Sequence, residues 1–392
     1  MKFYEHIFSI KNKNSYRLLR LLGFKIRLKI KREVVYSRLW KGNECNFYEN
    51  SLLKIAFYVG CPDGRSERYR VDNIIEALER RNIIGDKYYN SNIDILKNRT
   101  QYDLLVVFRS GDADEDVYDD VMQTIANFRS SGKSVIYDVD DYLLQKKRYR
   151  EKTINNVRSI IKSCSAVTTT TEYLANLLRD VHDSVYVIRN TINYQQYLAS
   201  SKLVEQNKEN SDVVKIVYQS GTGTHDGDFL ECSDALLEIL EKYENVEIHL
   251  IGPLNIRQEF EKYRSRVIRV GYMNYLDLLR YVYGMDINIA PLQINEFNNS
   301  KSELKIFEAA MLKIPSVVSA TEPYSQAIKN SHNGFVVNNT GEWVSCLSRL
   351  IENSAYRKNM GENACNEIAP IFFIENEINR VEEIYRSYIY AV

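Results

Sequence analysis

The sequence predicts an α/β protein built from two consecutive doubly wound domains that face each other across a cleft, with a basic N-terminal arm in front. Three observations carry this prediction. Short apolar runs of strand length alternate with helical periodicities along most of the chain. The alternation stops at a polar stretch, 206–212 (QNKENSD), and then begins again. The positive charge is concentrated at one end: residues 1–41 hold twelve Lys and Arg against Glu5 and Glu33, a net of +10 in a chain whose formal charge is zero.

The arm is assigned to residues 1–50. Its 15–22 segment (SYRLLRLL) reads as a helical turn or two, which Gly23 breaks. Phe24, Ile26, Leu28 and Ile30 then alternate with Lys25, Arg27, Lys29 and Lys31, the period of a strand with one apolar and one cationic edge. Such a segment suits an anionic membrane surface, so residues 1–41 are expected to meet one. The alternative is packing on the protein body with the lysines in water.

The first domain is expected over residues 51–205. Its strands are read at 53–59 (LKIAFYV), 104–108 (LLVVF), 135–138 (VIYD), 166–169 and 185–188, with a helix from Ser66 to Arg81 after the turn Gly60-Cys61-Pro62-Asp63-Gly64. The second domain is expected over 213–370. Its strands are read at 215–218, 246–251, 267–270, 287–290 and 316–319, with helices at 229–243 and 303–311. Residues 371–392 form a last helix, expected to cross back to the first domain. Continuous apolar strands between helices indicate parallel sheets covered on both faces. In such sheets ligands sit beyond the carboxyl ends of the strands.

The 392 residues suffice for two cores, and 44% apolar with 27% charged residues is the balance of a globular protein. The six cysteines show no metal-ligand or redox spacing and read as reduced thiols. No secretory signal and no apolar run of spanning length is visible. The expected location is cytoplasmic, peripherally associated with the inner face of the cell membrane, and no nucleic-acid partner is expected. Neither a Walker loop nor a Rossmann G-x-G-x-x-G is found, which removes support for ATP and hydride chemistry.

Four clusters carry candidate chemistry. In 297–308 (FNNSKSELKIFE) a helix start follows a strand, so its N–H groups favour an anion. Lys301 and Lys305, four apart, are expected on one helix face flanking a diphosphate, with Glu308 one turn on to accept from ribose hydroxyls. The bland reading is a capped, solvated helix. The loop 218–229 (YQSGTGTHDGDF) offers Gly221, Thr222, Thr224 and His225 to a phosphate or leaving group; otherwise it is a flexible loop with a helix cap. Asp138, Asp140 and Asp141 could hold a divalent metal, or activate or orient an acceptor hydroxyl, or only cap and solvate. Arg65, Ser66, Arg68 and Arg70, at the start of the first helix, are acceptor-binding candidates against a reading as surface charge.

In order along the chain, Tyr69-Arg70-Val71, Asp140-Asp141, Thr171-Glu172 with Leu174, and the Asn190 loop are followed by Ser220-Gly221-Thr222 with Thr224-His225-Asp226 and Asp228-Phe229. Then come Ala290-Pro291-Leu292, Phe297-Asn298, Lys301-Ser302-Glu303-Leu304-Lys305 with Glu308-Ala309, Pro315, Ser319, Pro323-Tyr324, Asn333-Gly334 and Glu342-Trp343. From about residue 53 to the end this order resembles bacterial family-4-like glycosyltransferases (glycosyl transferases group 1) of surface polysaccharide biosynthesis. The resemblance implies a GT-B architecture, two Rossmann-like domains facing a cleft. It implies retaining transfer from a nucleoside diphosphate sugar to a glycan or lipid-linked glycan of capsule, O-antigen or similar polymer. No metal or other cofactor is required. The donor would lie on the second domain, where Lys301, Leu304, Lys305 and Glu308 match the donor-binding stretch. Glu308 matches the ribose-binding member of the family's glutamate pair, and Ser300 stands where the first member belongs.

Catalysis is then expected to be electrostatic, with Asp140, Asp141, His225 and Lys301 as the catalytic candidates and Arg65, Ser66, Arg68 and Arg70 toward the acceptor. Three rivals stand beside it: a metal-dependent transferase using Asp138-Val139-Asp140, a sugar-nucleotide epimerase on the same fold, and a non-catalytic scaffold subunit that the Ser300 departure would allow.

Overall fold

The computed structural model describes the backbone of residues 8–13, 16–21 and 24–29, and residues 52–97, 101–111, 115–206, 211–221 and 225–390. Glu5, Gly23, Ile30, Lys31, Glu33, Thr222 and Thr224, named above, lie outside these residues. The chain divides into two units, Met1–Ser51 and Leu52–Val392.

In the first unit β1 (Phe8–Lys13), β2 (Tyr16–Leu21) and β3 (Phe24–Lys29) form an antiparallel sheet in that order. Within the segment 15–22, where a helical turn was expected, residues 16–21 are therefore a strand. The helix-favouring Leu and Arg of this segment are overridden by pairing along the whole of β2 on both sides, from Phe8↔Leu21 to Lys13↔Tyr16 and from Tyr16↔Lys29 to Leu21↔Phe24.

The second unit holds two parallel six-stranded sheets. The first runs β5 (Ile84–Tyr89), β4 (Lys54–Val59), β6 (Leu104–Phe108), β7 (Ser134–Val139), β8 (Ala166–Thr169), β9 (Val185–Val187). The second runs β12 (Val267–Val270), β11 (Val246–Ile251), β10 (Val214–Gln219), β13 (Ile287–Ala290), β14 (Ser316–Ser319), β15 (Phe335–Val337). The edge strands β5 and β15 escaped the sequence reading. One is polar, with Asp86 and Lys87, and the other is three residues long, as befits a sheet edge.

Alternation within one strand explains why the central strands read as unbroken apolar runs. Ile55, Phe57 and Val59 of β4 pack with Val71, Ile74 and Leu78 on one face, while Ala56 and Tyr58 pack with Tyr102, Leu105 and Tyr137 on the other. Ile216 and Tyr218 of β10 meet Phe229, Leu236 and Trp343, and Val217 meets Leu279, Val282 and Leu312. The outer layer of the first sheet includes the last helix, Ile374–Ile389, whose Ile374, Ile378, Val381 and Tyr385 join the β4 cluster. Tyr69 and Ile192 pack with Leu292, Phe307 and Phe372, joining the two halves. No helix among the described residues is long and apolar enough to cross a membrane.

In each sheet the strand order reverses beside the first strand, between β4 and β6 and between β10 and β13. The crevice at such a reversal is where these sheets bind ligands. Both crevices open on the segments singled out from the sequence.

Candidate active site

On the second-domain side, β10 ends at Gln219 and the chain turns through Gly221 (φ +75°) toward the helix Asp226–Lys242. Asp228, in the first turn of that helix, is a hub. Its carboxylate accepts from His225 Nδ1 at 2.8 Å, Gln293 N–H at 3.0 Å and Asn298 Nδ2 at 2.8 Å, and Lys301 Nζ stands 3.7 Å away. Burial alone would raise this carboxyl; the His225 hydrogen bond, Lys301 and the Gln293 N–H overcome it and bring it down to about 2.

An ionised carboxylate only accepts, so His225 donates from Nδ1 and its Nε2 carries the lone pair. Burial lowers the imidazole below its usual value, opposed by the Asp228 bond and assisted by Lys305 and Lys301. A neutral His225 offers its Nε2 lone pair to a hydroxyl proton rather than a positive charge to a phosphate.

The lysines supply the positive charge, in a different arrangement from the one expected. A short helix, Glu296–Asn299, capped by Asn295, ends before Lys301, and a separate helix, Leu304–Met311, begins after it. Lys301 therefore lies in the joint between two helices and shares no helix face with Lys305. Its ammonium stands 5.1 Å from the Phe297 ring centroid. Leu304 is the first residue of the second helix, whose start has no side-chain cap.

Lys305 Nζ is out of reach of solvent, has no hydrogen-bond partner among the described residues, and faces the Tyr218 ring at 4.8 Å. Burial, then the neighbouring Lys301, lowers it to about 8, against the attraction of Asp228 and Glu308. A buried, unpaired ammonium is costly, and it is the feature that most directly calls for an anion. Glu308, one turn on, accepts from Tyr69 Oη of the first domain. Ser300 is fully buried, its hydroxyl bonded to Phe297 O at 2.7 Å.

On the first-domain side, Gly60 follows β4. A Cβ there would lie 2.7 Å from Arg109 O and 2.9 Å from Ser110 Cα, so only glycine admits the β6 turn this closely. Arg109, at the end of β6, holds φ +44°, an uncommon conformation for a side-chain-bearing residue. It bridges Asp140 at 3.3 Å and Asp141 at 2.8 Å. Burial raises the Asp140 carboxyl above the ordinary range. Arg109 draws it down, Asp141 pushes it up, and the Ser66 hydroxyl bond draws it down again. Asp141 lies within electrostatic reach of Lys301, so the catalytic candidates of the two domains confront one another.

Arg65 donates to Gly221 O and stands 5.6 Å from the Tyr272 ring, Arg68 lies over Tyr275 at 4.3 Å, and Arg148 over Phe297 at 3.9 Å. Arg70 must be withdrawn from the acceptor site. It is buried, bonded to both oxygens of Asp138 (2.9 and 2.5 Å), to Ile188 O and to Asn190. Asp138, which also accepts from Thr168 at 2.6 Å, is thereby removed from any metal or acceptor role. Arg70→Ala would strand this buried carboxylate and is expected to cost about 3–5 kcal/mol of stability in a denaturant titration, with Arg70→Ala/Asp138→Ala recovering part of it. Equal stability of Arg70→Ala and wild type would refute the structural assignment.

Among the described residues, no group of three His, Cys, Asp or Glu is arranged to hold a metal ion, and the five described cysteines are free. Sequence reasoning missed Arg109, Asp228 as a hub, Arg148, and Tyr69 as a partner of Glu308. Asp228 alone left a local signal, its i,i+3 spacing from His225.

Two parallel sheets meeting at their reversal points, with cations on one side and carboxylates on the other, define the GT-B class of transferase architecture. Residues 228–353 match the family model described as Glycosyl transferases group 1. HepE from Anabaena, solved in complex with UDP and glucose, shares the fold at TM-score 0.63 and 15% identity over 86% of this chain and 100% of its own. Sucrose-phosphate synthase from Thermosynechococcus elongatus does so at TM-score 0.64 and 14% identity, over 87% and 100%. S. aureus TarM, as a variant in complex with fondaparinux, alpha-GlcNAc-glycerol and UDP, does so at 0.53 and 13%, over 72% and 55%. No curated protein sequence matches the chain. The chain has a GT-B fold, and its second domain carries the match to the group 1 glycosyltransferases.

Proposed function

We propose that the enzyme transfers a sugar from a nucleoside diphosphate sugar to a cell-surface glycan or lipid-linked glycan of the capsule or O-antigen kind, with retention at the anomeric carbon. The observation that carries this reading is the buried, unpartnered ammonium of Lys305 at the start of the helix Leu304–Met311, beside Lys301 and one turn before Glu308. A diphosphate supplies the missing negative charge, Gly221 and the N–H of Leu304 line its path, and the ribose diol lies on Glu308. UDP in the HepE and TarM complexes makes a uridine nucleotide the first candidate donor.

In the transfer, the bond from the anomeric carbon to the diphosphate oxygen breaks and the pair stays on the leaving diphosphate, where Lys301 and Lys305 stabilise it. The acceptor oxygen forms the new bond from the same face, and its proton passes to the departing phosphate oxygen. Asp140 and Asp141, locked by Arg109, orient the acceptor hydroxyl. His225 Nε2 accepts from a hydroxyl of the bound sugar. Arg65, Ser66 and Arg68 line the first-domain side. The basic residues 1–41 hold the enzyme at the anionic inner face of the membrane, where such acceptors are built.

Titrating UDP, GDP, dTDP and CDP against the wild type and Glu308→Ala, read by thermal unfolding, tests the donor site. One nucleotide is expected to raise the transition of the wild type and not of the variant, because ligand that binds only the folded state must stabilise it. No shift with any nucleotide would sink the donor assignment.

A further inference from the structure

We propose that Tyr69 is a positioning residue for the donor: its hydroxyl, delivered from the first domain, holds one carboxylate oxygen of Glu308 and so turns the other toward the ribose of a nucleotide on the second domain. The proposal rests on the donor-site reading above.

The two residues are 239 positions apart and bond directly, Tyr69 Oη to Glu308 Oε1. Glu308 Oε2 takes no hydrogen bond from the described residues, and an ionised carboxylate has acceptor sites to spare on both oxygens. The Tyr69 ring is 4% exposed and stands edge-on to Phe307 at 6.2 Å, the residue just before Glu308. Its orientation is therefore fixed by packing as well as by the bond.

The local backbone explains how one short segment serves both domains. Arg68–Asp72 is a π-helical turn, in which Asn73 N–H reaches back to Arg68 O. Such a turn inserts one residue into a helix and is frequently found at functional positions. Here it sends Arg70 down into its own domain, onto Asp138, while its neighbour Tyr69 crosses to Glu308. Arg68 and Arg65 cross with it, onto Tyr275 and Gly221 O. Nucleotide recognition by Glu308 is thereby completed only when the first domain is docked.

The charged and titratable groups that face Glu308 are Tyr69 and Arg68 from the first helix, Tyr275 from the helix Tyr275–Tyr283, and Lys305 on its own helix. Burial raises the Glu308 carboxyl; the Tyr69 bond, Arg68 and Lys305 hold it down. Removing the hydroxyl removes a donor that favours the ionised form, so the carboxyl titrates at higher pH.

The test is calorimetric titration of UDP, or whichever nucleoside diphosphate the panel selects, into full-length wild type, Tyr69→Phe and Glu308→Gln from about pH 5 to 8. Phenylalanine keeps the ring and its contact with Phe307. Tyr69→Phe is expected to bind about tenfold more weakly at neutral pH. The acid limb of its binding profile should move to higher pH, and KM for the donor should rise more than kcat falls. Weaker binding with an unmoved acid limb would mean a packing role and overturn the proposal, as would unchanged binding in Tyr69→Phe beside lost binding in Glu308→Gln. Wild-type binding by Glu308→Gln would instead overturn the donor-site reading beneath it.

Discussion

Replacing Lys305 with methionine is expected to lower transfer by about 10²–10³-fold while making the protein harder to unfold. The two effects come from one cause. The ammonium is buried without a hydrogen-bond partner and its pKa falls from 10.5 to about 8, a difference on the order of 3 kcal/mol held against the folded state at neutral pH. The sign follows from proton counting. Between about pH 8 and 10.5 the unfolded chain holds a proton that the folded chain has lost, so wild-type stability rises with pH across that window. Below it the penalty is fully present. Lys305→Met removes the penalty, so its advantage should be greatest at neutral pH and fade toward pH 10.5. A bound diphosphate favours the charged form, so nucleotide affinity of the wild type should weaken as pH rises above about 8. Urea titrations and nucleotide binding across pH check all three statements. Wild-type activity in Lys305→Met would remove the lysine from the donor site, and lower stability would mean that the ammonium has a partner in solution.

The second large effect is expected at Asp140. Asp140→Asn keeps the shape of the side chain and removes the charge that would orient an acceptor hydroxyl, and transfer should drop by about 10²–10³-fold with little change in donor KM. Burial holds the Asp140 carboxyl above its ordinary value, so its ionised form appears later than that of a free aspartate. The rate should therefore rise with pH along an acid limb displaced upward from about 4, and the limb should vanish in Asp140→Asn. The linked stability term has the opposite sense. A carboxyl whose folded pKa is raised favours the folded state at pH below the unfolded value, and that contribution is lost as pH rises through the folded one. Full activity in Asp140→Asn would reduce the Arg109–Asp140–Asp141 cluster to an internal ion pair.

The layers of this fold were legible because each central strand is apolar on both faces, and the strands at 246–251, 267–270, 287–290 and 316–319 occupy the positions read from the sequence. Two of the four edges were not: β5 carries Asp86 and Lys87, β15 is three residues long, and each has only one neighbour. Lys305 and Glu308 stood out as members of one short segment. Their partners did not, because Tyr69 is brought to Glu308 by tertiary packing that no local spacing records. Arg109 is 31 residues from Asp140 and adjoins it only because β6 and β7 are neighbours in the sheet. Arg70 was misread for the same reason. An arginine at a helix start looks solvated until the strand that carries Asp138 is placed beside it.

The last helix, Ile374–Ile389, lends its apolar side to the sheet begun by β4. On the ribosome that sheet emerges before the second one, yet the covering helix follows both. At about 5–20 residues per second, the first half of the enzyme waits on the order of ten seconds or more with part of its sheet uncovered. During that interval the face that carries Ile55 and Phe57 is covered only in part, which favours association of the unfinished chain. The second half has its principal strands before that helix is synthesised, so the order of synthesis and the order of completion run in opposite directions along this chain.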